Sequence, residues 1–136
     1  MAPKLESLDH IHIFVVDRST SEQWYARVLG LYRAPEFESW VSERGPLTLG
    51  NPSGTVHLAL FERPVAKCHS VVAFRATAPE FLAWRSHLSV ALGYSLEAVD
   101  HDLSWSLYFN DPDGNPFEIT SYEYKQITDA LAKTGA

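Results

Sequence analysis

A strand, a helix and three short strands are written twice into this chain, and that duplication limits the possible fold more than any single motif does. The first copy opens with LDHIHIFVV (8–16), where His10, His12 and Phe14 alternate with Ile11, Ile13 and Val15. That two-residue period marks a strand with one apolar face. Ser19-Thr20-Ser21-Glu22 reads as a capping box, opening a helix from Glu22 to Leu29 that Gly30 stops. Three short strands are expected between Leu31 and Phe61, the last being TVHLALF (55–61), and Glu62-Arg63-Pro64 reads as a linker. At Cys68 the pattern restarts with CHSVVAFRA, then the box Thr77-Ala78-Pro79-Glu80 with Pro in the first turn. The helix it opens carries Phe81, Trp84, Leu88 and Leu92 on one face and ends at Gly93. Three more strands close at Phe117–Tyr122, and a terminal helix is expected over the last dozen residues.

The expected organisation is one α+β domain of two βαβββ repeats, about 5–63 and 66–123, with a tail over 124–136. Four spacings support the duplication: His10 to His69 is 59, Ser19 to Thr77 is 58, Glu22 to Glu80 is 58 and His57 to Glu118 is 61. Taken at face value, His10, His57, His69 and Glu118 form two related pairs on the first and last strands of each copy.

The stretch from Val99 to Glu118 carries the densest chemistry. Trp105, Leu107 and Phe109 alternate with Ser106, Tyr108 and Asn110, so this is a strand with one polar face. Asp111-Pro112-Asp113-Gly114-Asn115 is a turn, since Pro presets φ, Gly accepts φ > 0 and Asx side chains bond nearby backbone. A strand resumes at Pro116, with Phe117 and Ile119 on one face and Glu118 and Thr120 on the other. A carboxylate among apolar strand residues is costly to bury unless it meets water, a cation or a metal.

The 136 residues carry a net charge of −6 with eleven scattered Lys and Arg, so no basic stripe for nucleic acid is present. No run of eighteen apolar residues and no cationic-then-apolar leader occurs, so neither a membrane span nor a secretory signal is expected. Cys68 is the only cysteine, which excludes an internal disulfide and points to a reducing cytoplasm. Six histidines are the compositional oddity. Two imidazoles and one carboxylate with open positions are the set used by non-haem Fe(II) oxygenases. His87, on a helix without a repeat partner, and the aromatics Trp24, Tyr25 and Trp84 read as packing residues, and Cys68 as a small buried one.

Residues 5–123 resemble a single-domain member of the vicinal oxygen chelate superfamily, which includes glyoxalase I, fosfomycin-resistance transferases, bleomycin-resistance proteins and extradiol ring-cleaving dioxygenases. LDHIHIFVVD, WYARVLGL, HSVVAF and DPDGNPFE carry the resemblance. It implies a glyoxalase-like half-barrel or barrel, completed within the chain or across a homodimer. It also implies metal ligands on the first, fifth and eighth strands, which fall on His10, His69 and Glu118. His10 is preferred over His12 because Asp17, seven residues on, sits where that strand ends in the family. His12 is left a substrate-contacting or supporting role. The longer segment is similar to the extradiol signature, with Val99, His101, Leu107, Tyr108, Asp111, Pro112, Gly114 and Glu118 at its defined positions.

That resemblance implies Fe(II), with Mn(II), Ni(II) or Zn(II) as other ions such a donor set takes. It also implies a small aromatic diol and O2 as substrates, with His101, Tyr108 and His57 as the residues handling protons and bound oxygen. Two alternatives stand beside it. In a glyoxalase I-like lyase or isomerase, position 57 would ligate; in a metal-free binding protein of the bleomycin-resistance kind, the ligand positions would drift.

Overall fold

The alternation that makes LDHIHIFVV a strand also decides which side of it faces a helix. In the computed structural model, which describes residues 1–64 and 67–134, the chain divides into two compact units, Met1–Ala66 and Lys67–Ala136. The first runs β1 (Ile11–Val15), α1 (Arg18–Leu29), β2 (Tyr32–Arg33), a 3-10 helix (Pro35–Trp40), β3 (Leu47–Gly50) and β4 (His57–Glu62). Its sheet has the order β1-β4-β3-β2, with β1 parallel to β4 and the other pairs antiparallel. Register puts Ile13 beside Leu60 and Leu47 beside Leu60, so the apolar residues of three strands share one face. That face is buried under Trp24, Tyr25, Val28 and Leu29 of α1. The opposite face carries His12, Phe14, His57, Ala59, Phe61 and Thr48.

Helix α1 begins earlier than its sequence suggests. Asp17, not Ser19, is the N-cap, and its carboxylate accepts from Ser19 N–H at 2.9 Å and Thr20 N–H at 3.4 Å. A charged acceptor satisfies two orphan donors at once and complements the helix dipole, so it displaces the hydroxyl two residues on. Glu22, freed from any capping role, pairs with Arg33, which also bonds Glu38. At the other end Gly30 has φ 68°, and Leu31 N–H reaches back to Tyr25 C=O.

The second unit repeats the design: β5 (Val72–Arg75), α2 (Ala78–Leu92), β6 (Val99–Asp100), β7 (Trp105–Asn110) and β8 (Pro116–Ser121), then α3 (Tyr124–Lys133). Its order is β5-β8-β7-β6, again with the first strand parallel to the last. Thr77 caps α2 by accepting from Glu80 N–H, as the second box requires. Phe81 and Leu88 of α2, Ile127 of α3 and the sheet residues Leu107, Phe117 and Ile119 make the core, each at most 2% exposed. Between β7 and β8 the Asp111 carboxylate accepts from the N–H groups of Asp113 and Asn115, and Gly114 takes φ 84°. Among the described residues no helix is long and apolar enough to cross a membrane.

The two sheets share their topology but not the pairing that raw spacing suggests. β5 begins 61 residues after β1, whereas β8 begins 59 after β4. His10 and Val71 each stand immediately before a first strand, His57 and Pro116 each open a last strand, and Ala59 and Glu118 each come third in it. His12 pairs with Ala59 just as Ala73 pairs with Glu118. The equivalences of His10 with His69 and of His57 with Glu118 are therefore corrected. Segments of unequal length lie between the strands, α2 being 15 residues against 12 for α1, so the offset is not constant along the chain.

Candidate functional site

In the first unit, chemistry gathers on the sheet face away from α1. Residues two apart on a strand project to the same side, which brings His10 and His12 together. Their Nε2 atoms are 3.0 Å apart and their rings stack with centroids at 4.9 Å. Asp9 accepts from His10 Nδ1 at 2.7 Å, and His12 lies against the Phe61 ring at 4.7 Å. The 3-10 helix lays Phe37 and Trp40, stacked at 4.9 Å, beside this face. A cavity of about 90 Å³ is enclosed there by Asp9, His10, His12, Phe37, Trp40 and His57 over a floor of Thr48 and Ala59.

His57 has an 18% exposed side chain and meets Phe37 edge-on at 5.6 Å. Its Nε2 is 3.8 Å from Glu36 Oε1, too long for a direct hydrogen bond. Gly50, its cross-strand neighbour, has no side chain because the imidazole occupies that space. A Cβ there would stand 3.0 Å from His57 Cδ2 and 3.1 Å from Val56 C=O. A second cavity of about 320 Å³, lined by Tyr32, Arg33, Glu36 and Asn51 among others, also reaches His57. That imidazole alone of the proposed site residues borders both cavities.

In the second unit, Glu118 and Tyr108 are directly opposed on β8 and β7, so their side chains share a face. The buried Ser106 hydroxyl donates to Glu118 Oε2 at 2.7 Å and lies 3.1 Å from Thr120 Oγ1. This bond fixes the orientation of the carboxylate on the sheet face. Tyr108 OH is 2.9 Å from His101 Nε2. His101 is held by a short turn in which Leu103 N–H meets His101 C=O at 2.8 Å and Asp102 adopts φ 69°. Asp, with its short polar side chain, tolerates that region better than most residues. Asp100 braces the turn by accepting from Asp102 N–H at 2.8 Å and from the Tyr124 hydroxyl of α3. That bond holds the Tyr124 phenol above its ordinary pKa, because ionisation would remove the proton it donates.

The structure thus brings His10, His12 and His57 to one cavity, and His101, Tyr108 and Glu118 to one sheet face. His69 is exposed and lies ahead of β5, four residues before the Ala73 that pairs with Glu118. Among the described residues no three His, Cys, Asp or Glu side chains form a group able to hold a metal ion. Trp24 and Tyr25 are core residues at 9% and 0% exposure, and His87 packs edge-on against Trp84. Cys68 is half-buried rather than buried, since its neighbours on both sides are exposed. Four contributors escaped the sequence reading: Asp9, Phe37, Trp40 and Ser106. An acid next to a site histidine and a serine on the polar face of a strand were the available signals for two of them. Nothing in the local pattern announced the 3-10 helix.

The comparisons agree with this architecture. Residues 7–119 match the profile described as the Glyoxalase/Bleomycin resistance protein/Dioxygenase superfamily. No curated protein matches the chain. Among solved structures, one from the mobile metagenome of V. Pseudocholerae is 23% identical, with 90% of this chain and 99% of that chain covered and a TM-score of 0.66. A glyoxalase/dioxygenase from Nostoc punctiforme is 21% identical over 90% and 95%, with a TM-score of 0.67. The fosfomycin resistance protein FosX from Listeria monocytogenes, complexed with Mn(II) and sulfate, is 16% identical over 94% and 99%, with a TM-score of 0.65. At these identities the structural likeness speaks for the fold, while the profile spans most of the chain and both of its units. On that ground the chain belongs to the glyoxalase/bleomycin resistance protein/dioxygenase superfamily.

Proposed function

We propose that this protein is a metal-dependent, extradiol-type dioxygenase that opens a catechol ring beside its diol with O2, working in a reducing cytoplasm as a homodimer. The observation that carries the reading is the arrangement of His101, Tyr108 and Glu118. Tyr108 faces Glu118 across a strand pair, and its hydroxyl meets His101 at 2.9 Å. These are the residues that the extradiol-like signature names, and the fold holds all three in one unit.

The donor types fit a divalent ion: neutral imidazoles and one carboxylate whose orientation is fixed by Ser106. His10 and Glu118 are the ligands this reading needs, with a second imidazole for which the sequence nominates His69. Fe(II) suits the oxygen chemistry, and Mn(II), Ni(II) or Zn(II) suit the same donors; the Mn(II) held by FosX supports a divalent ion in this fold. When bound, the metal supplies Lewis acidity to the diol oxygens and open positions for substrate and dioxygen.

The protein's own groups then handle protons. The His101 imidazole accepts a phenolic proton, and its contact with Tyr108 OH keeps that nitrogen aimed along the face that bears Glu118. Tyr108 offers its hydroxyl as a donor to a substrate oxygen. His57, bordering both cavities of the first unit, is the second base in reach of a ligand there. Phe37 and Trp40 supply aromatic surface suited to an aryl ring. The lyase or isomerase alternative calls for a fourth ligand, for which the sequence nominates His57; the register makes Ala59, not His57, the first-unit counterpart of Glu118.

The test is oxygen uptake by anaerobically purified, Fe(II)-loaded protein against a panel of catechols, with ring-opened product followed by absorbance. Uptake with at least one catechol is expected. Failure with every catechol, together with conversion of a hemithioacetal or epimerisation of a thioester, would replace this reading with the lyase or isomerase one.

A further inference from the structure

We infer that Tyr124, the first residue of α3, is a positioning residue: through Asp100 it holds the turn that aims His101 at Tyr108. The inference rests on the role given above to His101 as proton acceptor, and adds a residue that acts through it.

The starting observation is a strained backbone. Leu103 N–H donates to His101 C=O at 2.8 Å, an i to i+2 bond that closes a γ-turn around Asp102. Asp102 has φ 69° and is the one non-glycine residue at positive φ among the described residues. A γ-turn of that hand is rare and strained, and such a conformation persists only where its surroundings over-determine it. Two further bonds do so here. His101 N–H donates to Ser104 C=O at 2.9 Å, and Asp102 N–H donates to Asp100 Oδ1 at 2.8 Å. His101 is exposed, so burial does not fix its ring. The turn carries its Nε2 to 2.9 Å from Tyr108 OH.

Asp100 needs an anchor of its own. It is exposed and ends a strand of two residues, so strand pairing alone leaves its carboxylate able to rotate into water. The Tyr124 hydroxyl prevents that rotation, lying 2.8 Å from Oδ1 and 2.9 Å from Oδ2. Tyr124 is itself held from two sides. Its ring stacks on Trp105 with centroids at 5.9 Å, and Trp105 Nε1–H donates at 2.9 Å to Thr128 Oγ1, one turn along α3. Ile127 and Leu131 fasten α3 to the core, so the bonds from the hydroxyl to Asp100 govern the turn rather than the helix. An exposed turn is thereby tied to a fixed point. Displacing a reacting group by about 1 Å costs about a hundredfold in rate, so the tie should be legible in turnover.

NMR of metal-free protein reads the geometry, and oxygen uptake by Fe(II)-loaded protein reads its consequence. The parent should show a nuclear Overhauser contact between the His101 and Tyr108 rings. Tyr124→Phe and Asp100→Ala should abolish it, whereas Asp100→Asn, which keeps an acceptor oxygen, should retain it. With a catechol that the parent turns over, Tyr124→Phe should lower kcat by about 10- to 100-fold while KM and Tm stay near parental values. In a His101→Ala background the same substitution should change kcat by less than about twofold, because nothing is left to position. A parental ring contact and kcat in Tyr124→Phe, or equal losses with and without His101, would overturn the inference. Should the parent consume no oxygen with any catechol, the dioxygenase reading falls alone. Loss of the ring contact in Tyr124→Phe would then still uphold the positioning, and its persistence would end it.

Discussion

Replacing Ser106 with Ala isolates how the second unit keeps a carboxylate ready on a sheet face. Ser106 is fully buried, and its hydroxyl donates to Glu118 Oε2 at 2.7 Å. A hydrogen bond to a charged group contributes about 1.5–3 kcal/mol to folding. Glu118 is only half-buried, so water can take over part of that bond, and the lower end of the range applies. The expected loss is about 1–2 kcal/mol in unfolding free energy. For a chain of 136 residues that is a fall in Tm of about 3–8 °C. A double-mutant cycle with Glu118→Gln, read by urea denaturation without metal, should give a coupling of about 1 kcal/mol. The same substitution frees the carboxylate to rotate, so Co(II) affinity should drop by about 10- to 100-fold. A coupling within about 0.3 kcal/mol of zero, together with unchanged Co(II) affinity, would refute the idea that Ser106 orients Glu118.

Other perturbations probe separate parts of the argument. Tyr108→Phe should lower catechol turnover by about a hundredfold while metal content stays at the parental level, measured by oxygen uptake and metal analysis. Gly50→Ala should cost about 1 kcal/mol and displace the His57 ring, because its Cβ would meet a ring carbon at 3.0 Å and a backbone carbonyl at 3.1 Å. The His57 ring resonances in NMR read that shift directly. The Tyr124 phenol is held above its ordinary value by Asp100, so its contribution is complete below about pH 10 and fades as pH rises through the folded-state value. Absorbance titration should show one late-ionising tyrosine that Asp100→Asn brings back toward normal. Light scattering at micromolar concentration should give a dimer mass, because each sheet is an open one of four strands and open edges favour pairing.

Much of the fold could be read from the sequence because alternation survives translation into burial. His12 and Phe14 are exposed while Ile13 and Val15 are buried, and Leu107 and Phe109 are buried while Tyr108 is exposed. The Asp111 turn and the Gly30 and Gly93 caps stand where turn chemistry puts them. What escaped is what alternation does not encode. The choice between Asp17 and Ser19 as N-cap depends on a charge competing with a hydroxyl for the same donors. The 3-10 helix, an apolar pair on a short tight turn, has no period long enough to detect. Register was the costliest omission. A shift of two residues between first strands and last strands reassigns every counterpart, and only the hydrogen-bond ladders fix it.

That reassignment says why one half of a duplicated protein can be specialised without loss of the other. The row His12–Ala59–Thr48 in the first sheet matches the row Ala73–Glu118–Tyr108 in the second. Where one sheet has imidazole, methyl and hydroxyl, the other has methyl, carboxylate and phenol. Each row contains an alanine at the place where the other has an imidazole or a carboxylate. All these residues sit on the face away from the helices, so exchanging them leaves the buried face untouched. Ala59, at 3% exposure, leaves floor space in the cavity beneath His10 and His12, whereas a carboxylate there would fill it. Ala59→Glu is therefore the substitution that separates the two chemistries. It would add a carboxylate beside the His10 and His12 imidazoles, at the place that Glu118 holds in the second sheet. Tighter Co(II) binding with lost catechol turnover is the expected result; unchanged Co(II) affinity would show that a carboxylate at position 59 recruits no ion to this face.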